Sequence, residues 1–494
     1  MTQAVNGSAT AAGRTVAEEI RSDPQIVNAI DAIVARTGEH NSTITGPRPA
    51  GDGLAEPYEA LLARAGAVKG RGLLYPYLGS GAGNGPLVEL ADGSVKWDMI
   101  TGIGVHFFGH GHPELIRAGL VAAAGSTPKH GNLLSDFEGY HFLETLLEKA
   151  GRHSRLREGF VTTSGAMANE SALKVCYQKH APASRVLAFK HCFMGRSVTM
   201  AQIGDSAAGR EGLPLSTQVD YMPFWNDDAV EKVGGAKNFI DHACWRLEQY
   251  AERYPGMHAC FIFELIQGEG GFNTAPRDFF TALMDVCRDK NIAIWDDEIQ
   301  TFGRTGRMFA YETYDLGDYV DVFCVGKMTQ ACATLWTEDY APKPGLLSGT
   351  FTGSSQDFAV GRRMLEMLDE GGLYDSEPGH WQGHGDGLIA RHHAAFREQA
   401  KALMDRHPEW FPRVPFGGPN PGGLGGMCRF TPFGGEKSKV AAAAKAIFEE
   451  GVVLFWCGHG PYHLRMLPPL AVMPLDAWPG VFERVERGLA AVAG

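Results

Sequence analysis

Between roughly Glu158 and Thr352, short β-rich runs alternate with longer amphipathic ones, and this alternation narrows the possible folds more than any other feature of the chain. The β-rich runs are GFVTTSG, RVLAFKHCF, HACFIFELI, IAIWDDEI, DVFCVGK and SGTFTG, and helical periodicity runs through ANESALKVCYQKH and RDFFTALMDVCRDK. Apolar strands separated by helices predict an α/β fold with a mostly parallel sheet covered on both faces. In such sheets ligands gather beyond the carboxyl ends of the strands. TSG, ELIQGEGG, DDEIQ and GK all fall there.

The flanking stretches read differently. Residues 1–73 are polar and small, with GPRPAGDG at residues 46–53 as a flexible break and only DPQIVNAIDAIVA showing helical periodicity; they read as an N-terminal extension that begins as a mobile tail. From Leu74, YPYLGSGAGNGPLVELADGSVKWDMITGIGV reads as short strands joined by turns, with ADG at residues 91–93 as a hairpin signal. Residues 74–371 are expected to be mainly the large domain, with 74–125 partly in the small one. Residues 372–494 read as a C-terminal α+β small domain, interrupted by the Gly/Pro-rich VPFGGPNPGGLGGM.

Several function classes are excluded early. A balance of 45 Lys+Arg against 57 Asp+Glu gives a formal net charge of -12, which argues against nucleic acid or an anionic membrane as the main partner. The N-terminus lacks the basic and apolar regions of a signal peptide, and no apolar run reaches bilayer length, so a cytoplasmic location is expected. The nine cysteines, from Cys176 to Cys457, are scattered singly and predict neither a disulfide framework nor a zinc ribbon. His380, His384, His392 and His393 include an HxxxH spacing, but no carboxylate or cysteine completes a metal set, and a solvated helix face is expected. GSGAGNGP from Gly79 lacks the third glycine of GxGxxG and fails as a dinucleotide loop, which disfavours a nicotinamide dehydrogenase.

Three strand ends carry chemistry. TTSGAMANESALK sets a turn of small residues between a strand and a helix, so the N–H groups of Gly165 and Ala166 with the helix dipole behind them suit a phosphate; Ser164 serves equally as an ordinary N-cap. Lys327 follows an apolar strand and a glycine, a partly dry setting that lowers a lysine's pKa and makes it a nucleophile; a lysine snorkelling at a strand end is the plainer alternative. IWDDEIQTFGRTG places Asp296, Asp297 and Glu298 side by side, where adjacent carboxylates need positive partners or a task. Together, an anion cradle, an amine able to form a Schiff base and a strand-end carboxylate are what a fold supplies to hold pyridoxal 5'-phosphate. Asp297 then faces the protonated ring nitrogen, while Asp296 and Glu298 point elsewhere or lie in the turn.

From about Leu74 to its end, the chain resembles the class III aminotransferases, a family of fold type I pyridoxal phosphate enzymes. The resemblance is carried in order by DGSVKWDMITGIGVHFFGHGHPEL, TSGAMANESALK, FMGRS, ELIQGEGG, DDEIQTFGRTG, VGK, GTFTG and LRMLPPL. It implies that Lys327 bears the cofactor and moves a proton between the substrate carbon and the cofactor's C4' carbon. Asp297 would pair with the pyridinium and Gln300 with the phenolic oxygen, while Phe193 and Ile299 cover the two ring faces. Gly165 and Ala166 would cradle the phosphate. Thr350 would reach the phosphate of a neighbouring subunit, implying a homodimer with shared active sites.

The same resemblance assigns substrate handling to three charged residues. Arg465 would clamp an α-carboxylate, Glu269 would cover Arg465 when an ω-amino donor is bound and swing away for 2-oxoglutarate, and Arg196 would hold the donor's far carboxylate. A plain Arg–Glu salt bridge is the alternative for the first two. FMGRS stands where the family more usually has FHGRT, ELIQ where it has EPIQ, and GTFTGSS lacks the common GGNP ending; the first alters the pocket wall.

The expected activity is transfer of an ω-amino acid's terminal amine to 2-oxoglutarate. L-lysine is favoured because VGKMTQ is similar to the GKKTQ of lysine 6-aminotransferases. Ornithine, acetylornithine and 4-aminobutyrate are the other donors, and an epimerase or aminomutase sharing the motifs is the rival enzyme class. A non-catalytic binding protein is disfavoured by the intact Lys327 and Asp297.

Overall fold

The computed structural model describes residues 15–125, 129–377 and 385–494, so His380 and His384 lie outside the described residues. Its centre is a seven-stranded sheet. In chain order the strands are β1 (Glu158–Thr162), β2 (Arg185–Phe189), β3 (Gln218–Met222), β4 (His258–Phe263), β5 (Ala293–Asp297), β6 (Val322–Val325) and β7 (Cys332–Trp336). Across the sheet they run β1-β7-β6-β5-β4-β2-β3. Strands β6, β5, β4, β2 and β3 pair in parallel, while β7 lies antiparallel between β1 and β6.

Burial on both faces explains the apolar runs. Leu187, Phe261, Ile294 and Phe323 join one core, and their chain neighbours Val186, Cys260, Ala293 and Val322 join the other. Alternate side chains of a strand point to opposite faces, so each strand contributes to both layers. Helix Gly165–Lys179 covers the second core with Ala168, Ala172 and Cys176, and helix Arg277–Asp289 covers the first with Phe279, Phe280 and Leu283.

Two four-stranded sheets stand apart from the centre. One joins Gly79–Asn84, Leu87–Leu90 and Val95–Asp98 to Val452–Val453, so residues 79–98 share a sheet with the C-terminal segment. Its hairpin turns at the expected ADG, where Gly93 adopts φ +77° and Leu90 N–H donates to the Ser94 carbonyl at 2.8 Å. The other contains Gly422–Leu424, Met427–Phe430, Phe455–Cys457 and His463–Met466, and it carries Arg465.

Four expectations require correction. SGTFTG does not join the central sheet; only Gly353–Ser354 is extended, paired with Lys129–His130. Residues 15–69 hold three helices, Val16–Ser22, Pro24–Asn41 and Ala55–Lys69, where the sequence pattern showed one. The break at residues 46–53 is not free, because Arg48 exchanges two backbone hydrogen bonds with Val95. His392 and His393 do not face solvent. Both are buried: His392 Nδ1 accepts from Trp478 Nε1 at 3.1 Å, and His393 Nδ1 meets the Gly425 carbonyl at 2.8 Å.

Candidate active site

Parallel pairing of β5 and β6 sets Asp297 opposite Cys324, so the chain leaves β6 three residues later at Lys327, on the same edge of the sheet. Lys327 adopts φ +53°, a left-handed conformation that costs a non-glycine residue about 1 kcal/mol or more and is held where surrounding packing over-determines it. Gly326 before it has no room for a side chain, since a Cβ there would stand 2.8 Å from Cys332 Sγ. The charges of Glu269, Arg465, Asp297 and Arg304 all act on the Lys327 amine. Burial pulls its pKa below the usual lysine value, and the two arginines act in the same direction against the two carboxylates.

Asp297 is buried, with Oδ2 accepting from Asn169 Nδ2 at 2.7 Å and Oδ1 accepting from the Ile299 N–H at 3.0 Å. Burial pushes its carboxyl up to about 6, against the pull of Asn169, the Ile299 amide and Lys327. A carboxylate in this position gains from a cationic partner, which restores its ordinary acidity. The two flanking acids are otherwise engaged. Glu298 turns to the short helix Ala310–Thr313 and accepts from the amides of Ala310 and Tyr311 at 2.8 and 2.9 Å. Asp296 is fully buried; burial first, and then the Glu298 charge, holds it well above the carboxylate range.

The helix following β1 supplies the third group. Ser164 Oγ accepts from the Met167 N–H at 3.2 Å, so Ser164 is the N-cap. That cap leaves the first two amides, Gly165 and Ala166, without a hydrogen bond among the described residues, and the positive helix end presents them to an anion. Ile299 bridges the groups: a Cβ on Gly165 would lie 2.8 Å from Ile299 Cδ1, and one on Gly326 3.6 Å from Ile299 Cγ2. The unbonded amides of Gly165 and Ala166, Asp297 and Lys327 thus border one region, and this donor set fits pyridoxal 5'-phosphate.

Arg465 and Glu269 meet beside it. Arg465 is fully buried, and its Nη2 donates to Glu269 Oε1 at 2.6 Å while Nη1 reaches Gln300 Oε1 at 3.4 Å. Phe272 and Phe455 stand 5.6 Å from the guanidinium carbon, and its Nε has no partner among the described residues. Burial alone would raise the Glu269 carboxyl, but Arg465 brings it below its ordinary value. Glu269 keeps 27% of its side chain exposed against 0% for Arg465. A Cβ on Gly268 would meet Gln300 Oε1 at 2.3 Å, so a side chain there would push the Gln300 amide aside.

Phe193 lies partly buried, with Arg196 5.4 Å from its ring on the exposed side. Thr350 is exposed and its loop packs on Gly131.

Sequence reasoning missed three residues that hold the site together. Asn169 sits one turn into the helix, where it donates to Asp297 and to the Met194 carbonyl. Glu264, the first letter of ELIQ, accepts from the amides of Phe193 and Gly268 at 3.1 and 2.9 Å, and burial raises its carboxyl to about 8. Arg304, in GRTG, is buried and donates to the Gly104 carbonyl at 2.5 Å; burial lowers it to about 10, so it stays charged. A polar residue inside each quoted motif was the available signal, but its partners lie far away in sequence.

Comparison with known proteins identifies a family and a fold. A family model described as Aminotransferase class-III matches residues 77–477. The chain is 28% identical over 392 residues to a diaminobutyrate--2-oxoglutarate transaminase of Wolinella succinogenes, covering 77% of this chain and 84% of that one. It is 28% identical over 434 residues to a 4-aminobutyrate aminotransferase of Mycobacterium tuberculosis, covering 83% and 90%. Among solved structures, the lysine aminotransferase from M. tuberculosis superposes with a TM-score of 0.73 at 22% identity, over 87% of this chain and 99% of that one. At that identity the likeness is one of fold.

Proposed function

The chain belongs to the class III aminotransferase family, and from that premise we propose that it moves the terminal amino group of an ω-amino acid, L-lysine first, to 2-oxoglutarate, giving a semialdehyde and glutamate. The family's cofactor is pyridoxal 5'-phosphate, which when bound supplies an electron-withdrawing ring that stabilises the electron pair left on a substrate carbon as its C–H bond breaks. Gly165 and Ala166 would hold its phosphate, Asp297 its ring nitrogen, Gln300 its phenolic oxygen, and Phe193 and Ile299 its two faces. Lys327 Nζ, whose pKa burial lowers, would attach it and then take the proton from the amine-bearing carbon.

The observation that carries the reading is the buried Arg465 covered by Glu269 at 2.6 Å. With Glu269 in place, the positive charge is neutralised and a donor whose reacting carbon bears no carboxylate can enter. With Glu269 displaced, the guanidinium fork can accept the α-carboxylate of 2-oxoglutarate through two parallel hydrogen bonds. Terminal amines are the shared chemistry in the names of the two relatives, diaminobutyrate and 4-aminobutyrate. The choice of L-lysine rests on VGKMTQ. Arg196, on the exposed side of Phe193, is suited to the donor's distant carboxylate.

The direct test offers the cofactor-loaded protein a panel of L-lysine, ornithine, acetylornithine, diaminobutyrate and 4-aminobutyrate with 2-oxoglutarate, and measures glutamate. L-lysine should be the fastest donor. A different winner replaces the donor, and no glutamate from any of them removes the reading. Arg465→Ala should raise the KM for 2-oxoglutarate by about 10- to 100-fold, the worth of a charge-assisted pair, and leave the donor's KM far less changed. Equal changes would show that the two substrates do not share Arg465 by turns.

A homodimer is part of the same proposal. Leu133, Leu134 and Phe137 are 101%, 61% and 60% exposed, and Phe351, next to Thr350, is 48% exposed. Gly131 and Thr350 pack together, so these residues form one apolar surface beside Thr350. Sedimentation should give twice the chain mass, and Thr350→Ala should release the cofactor about 10-fold more readily without dissociating the dimer. A monomer with full activity contradicts the shared site.

A further inference from the structure

The Gly/Pro-rich stretch VPFGGPNPGGLGGM closes around one buried cation, Arg429. This residue lies on strand Met427–Phe430, directly across from Arg465 in the antiparallel register, and it is 1% exposed. A Cβ on Gly418 would come 2.6 Å from Arg429 Nη2, and one on Gly422 2.6 Å from its Nε, so glycine is what lets the loop wrap the guanidinium. Gly418 also takes φ +69°, which an L side chain resists.

Among the described residues, no carboxylate bonds to Arg429. Its Nη2 donates to the carbonyls of Gly417 and Pro419 at 3.1 and 3.4 Å. Its Nη1 donates to the Gly271 carbonyl at 2.6 Å and to Asn273 Oδ1 at 3.2 Å, and stands 3.0 Å from His463 Nε2. Arginine can only donate, so His463 Nε2 is an acceptor and its proton sits on Nδ1, which donates to Thr431 Oγ1 at 2.7 Å. Burial lowers Arg429 to about 10 and lowers His463 well below its ordinary value, consistent with a charged arginine held by neutral dipoles.

Gly271 and Asn273 close the strap that bears Glu269. The strap leaves at Gln267 and returns at Asn273, where Gln267 N–H donates to the Asn273 carbonyl and Phe272 N–H donates back to Gln267. Gly458 N–H holds the Glu269 carbonyl at 2.8 Å. Behind the strap a cavity of about 330 Å³ is lined by Phe272, Asn273, Gly418, Gly422 and Arg429, space into which a released strap could move.

We propose that Arg429 is a positioning residue: by fastening the Glu269 strap to the glycine-rich loop, it sets how readily Glu269 leaves Arg465, and hence the enzyme's preference between an oxoacid with an α-carboxylate and an ω-amino donor. This rests on the exchange of Glu269 for a substrate carboxylate proposed above. A loosened strap weakens the Glu269–Arg465 pair, which helps the oxoacid and harms the amine.

The test compares kcat/KM for 2-oxoglutarate with kcat/KM for the preferred ω-amine in cofactor-loaded wild type, Arg429→Gln, Arg429→Lys, Glu269→Ala and the Arg429→Gln/Glu269→Ala double variant. Arg429→Gln should shift the ratio toward 2-oxoglutarate by about 5- to 10-fold, in the direction of Glu269→Ala, with Arg429→Lys in between. In the Glu269→Ala background it should shift the ratio no further, because the group it positions is gone. A purely structural arginine would lower both values together and leave the ratio alone, and that result, or a full additional shift in the double variant, overturns the inference. A Glu269→Ala enzyme with a wild-type ratio instead removes the gate itself, and both readings fall. Should Arg429→Gln not fold, Asn273→Ala, which removes one contact of the clamp, should shift the ratio the same way by about 2-fold, and an unchanged ratio there counts against the proposal.

Discussion

Lys327→Ala is expected to lower the turnover number by about 10⁴-fold or more while leaving the chain folded and able to retain cofactor. In the proposed roles of Lys327, two losses combine in this variant: the nucleophile that attaches the cofactor and the base that moves the substrate proton, the latter alone worth about 10²- to 10⁴-fold. The fold should survive because alanine removes a buried amine whose charge burial already disfavours. The amides of Gly165 and Ala166 and the side chain of Asp297 are untouched. Glutamate formation measures the loss, and added small amines, which can enter the space left by the side chain, should restore a small part of the rate. Turnover within 10-fold of wild type would strip Lys327 of its proposed role.

Asp297→Asn is expected to lower the turnover number by about 10²- to 10⁴-fold, with an opposite effect on the cofactor-free protein. Asparagine can still accept from Asn169 or the Ile299 amide, but it cannot hold a cationic ring nitrogen by charge. The stability effect has a definite sign. The folded Asp297 carboxyl sits at about 6, above its ordinary 3.8, so the native state binds more protons than the unfolded chain between pH 4 and 6. Stability from this group is therefore lost as pH rises through that window, by ~3 kcal/mol when complete. Asparagine carries no such cost. The cofactor-free variant should melt above wild type at pH 8 and level with it near pH 4. A variant that melts lower at pH 8 would mean that the carboxylate is stabilised in the empty protein by a partner outside this account.

The central sheet was legible where strands are buried on both faces. Runs such as HACFIF and IAIWDD leave no other reading, since every residue of His258–Phe263 and of Ala293–Asp297 is buried. Gln218–Met222 escaped because it is an edge strand with a charge in its middle. Asp220 is tolerated there through Arg185 at 2.7 Å and His258 at 2.8 Å, partners that no local pattern reveals. Cys332–Trp336 escaped because it returns immediately from the lysine turn, with Gln330 at φ +59° and no Asn-Gly signal. SGTFTG misled for the opposite reason, since its alternating pattern serves a two-residue pairing and an exposed loop.

At the site, the separate motifs were readable, and so was the turn that leaves Gly165 and Ala166 free. What the sequence could not show were the brackets between motifs. Asn169 meets Asp297 from 128 residues away, and Glu264 holds Phe193 from 71 residues away. Arg429 ties a glycine-rich loop to the Glu269 strap across 158 residues. Such links depend on which strand ends become neighbours, which is a property of topology and not of spacing.

The insertion of β7 between β1 and β6 also dictates an order of assembly. Glu158–Thr162 emerges from the ribosome early, yet among the described residues its only neighbour in the sheet is Cys332–Trp336, so it stays an unpaired edge until Trp336 has been synthesised. Such non-local pairing closes late and slowly. The turn after β1, proposed to hold the cofactor's phosphate, thus reaches its final place only once the lysine turn exists. A nascent chain cannot load its cofactor piecemeal, and ribosome-stalled fragments ending before Trp336 should be the aggregation-prone and chaperone-dependent stage of this protein's life.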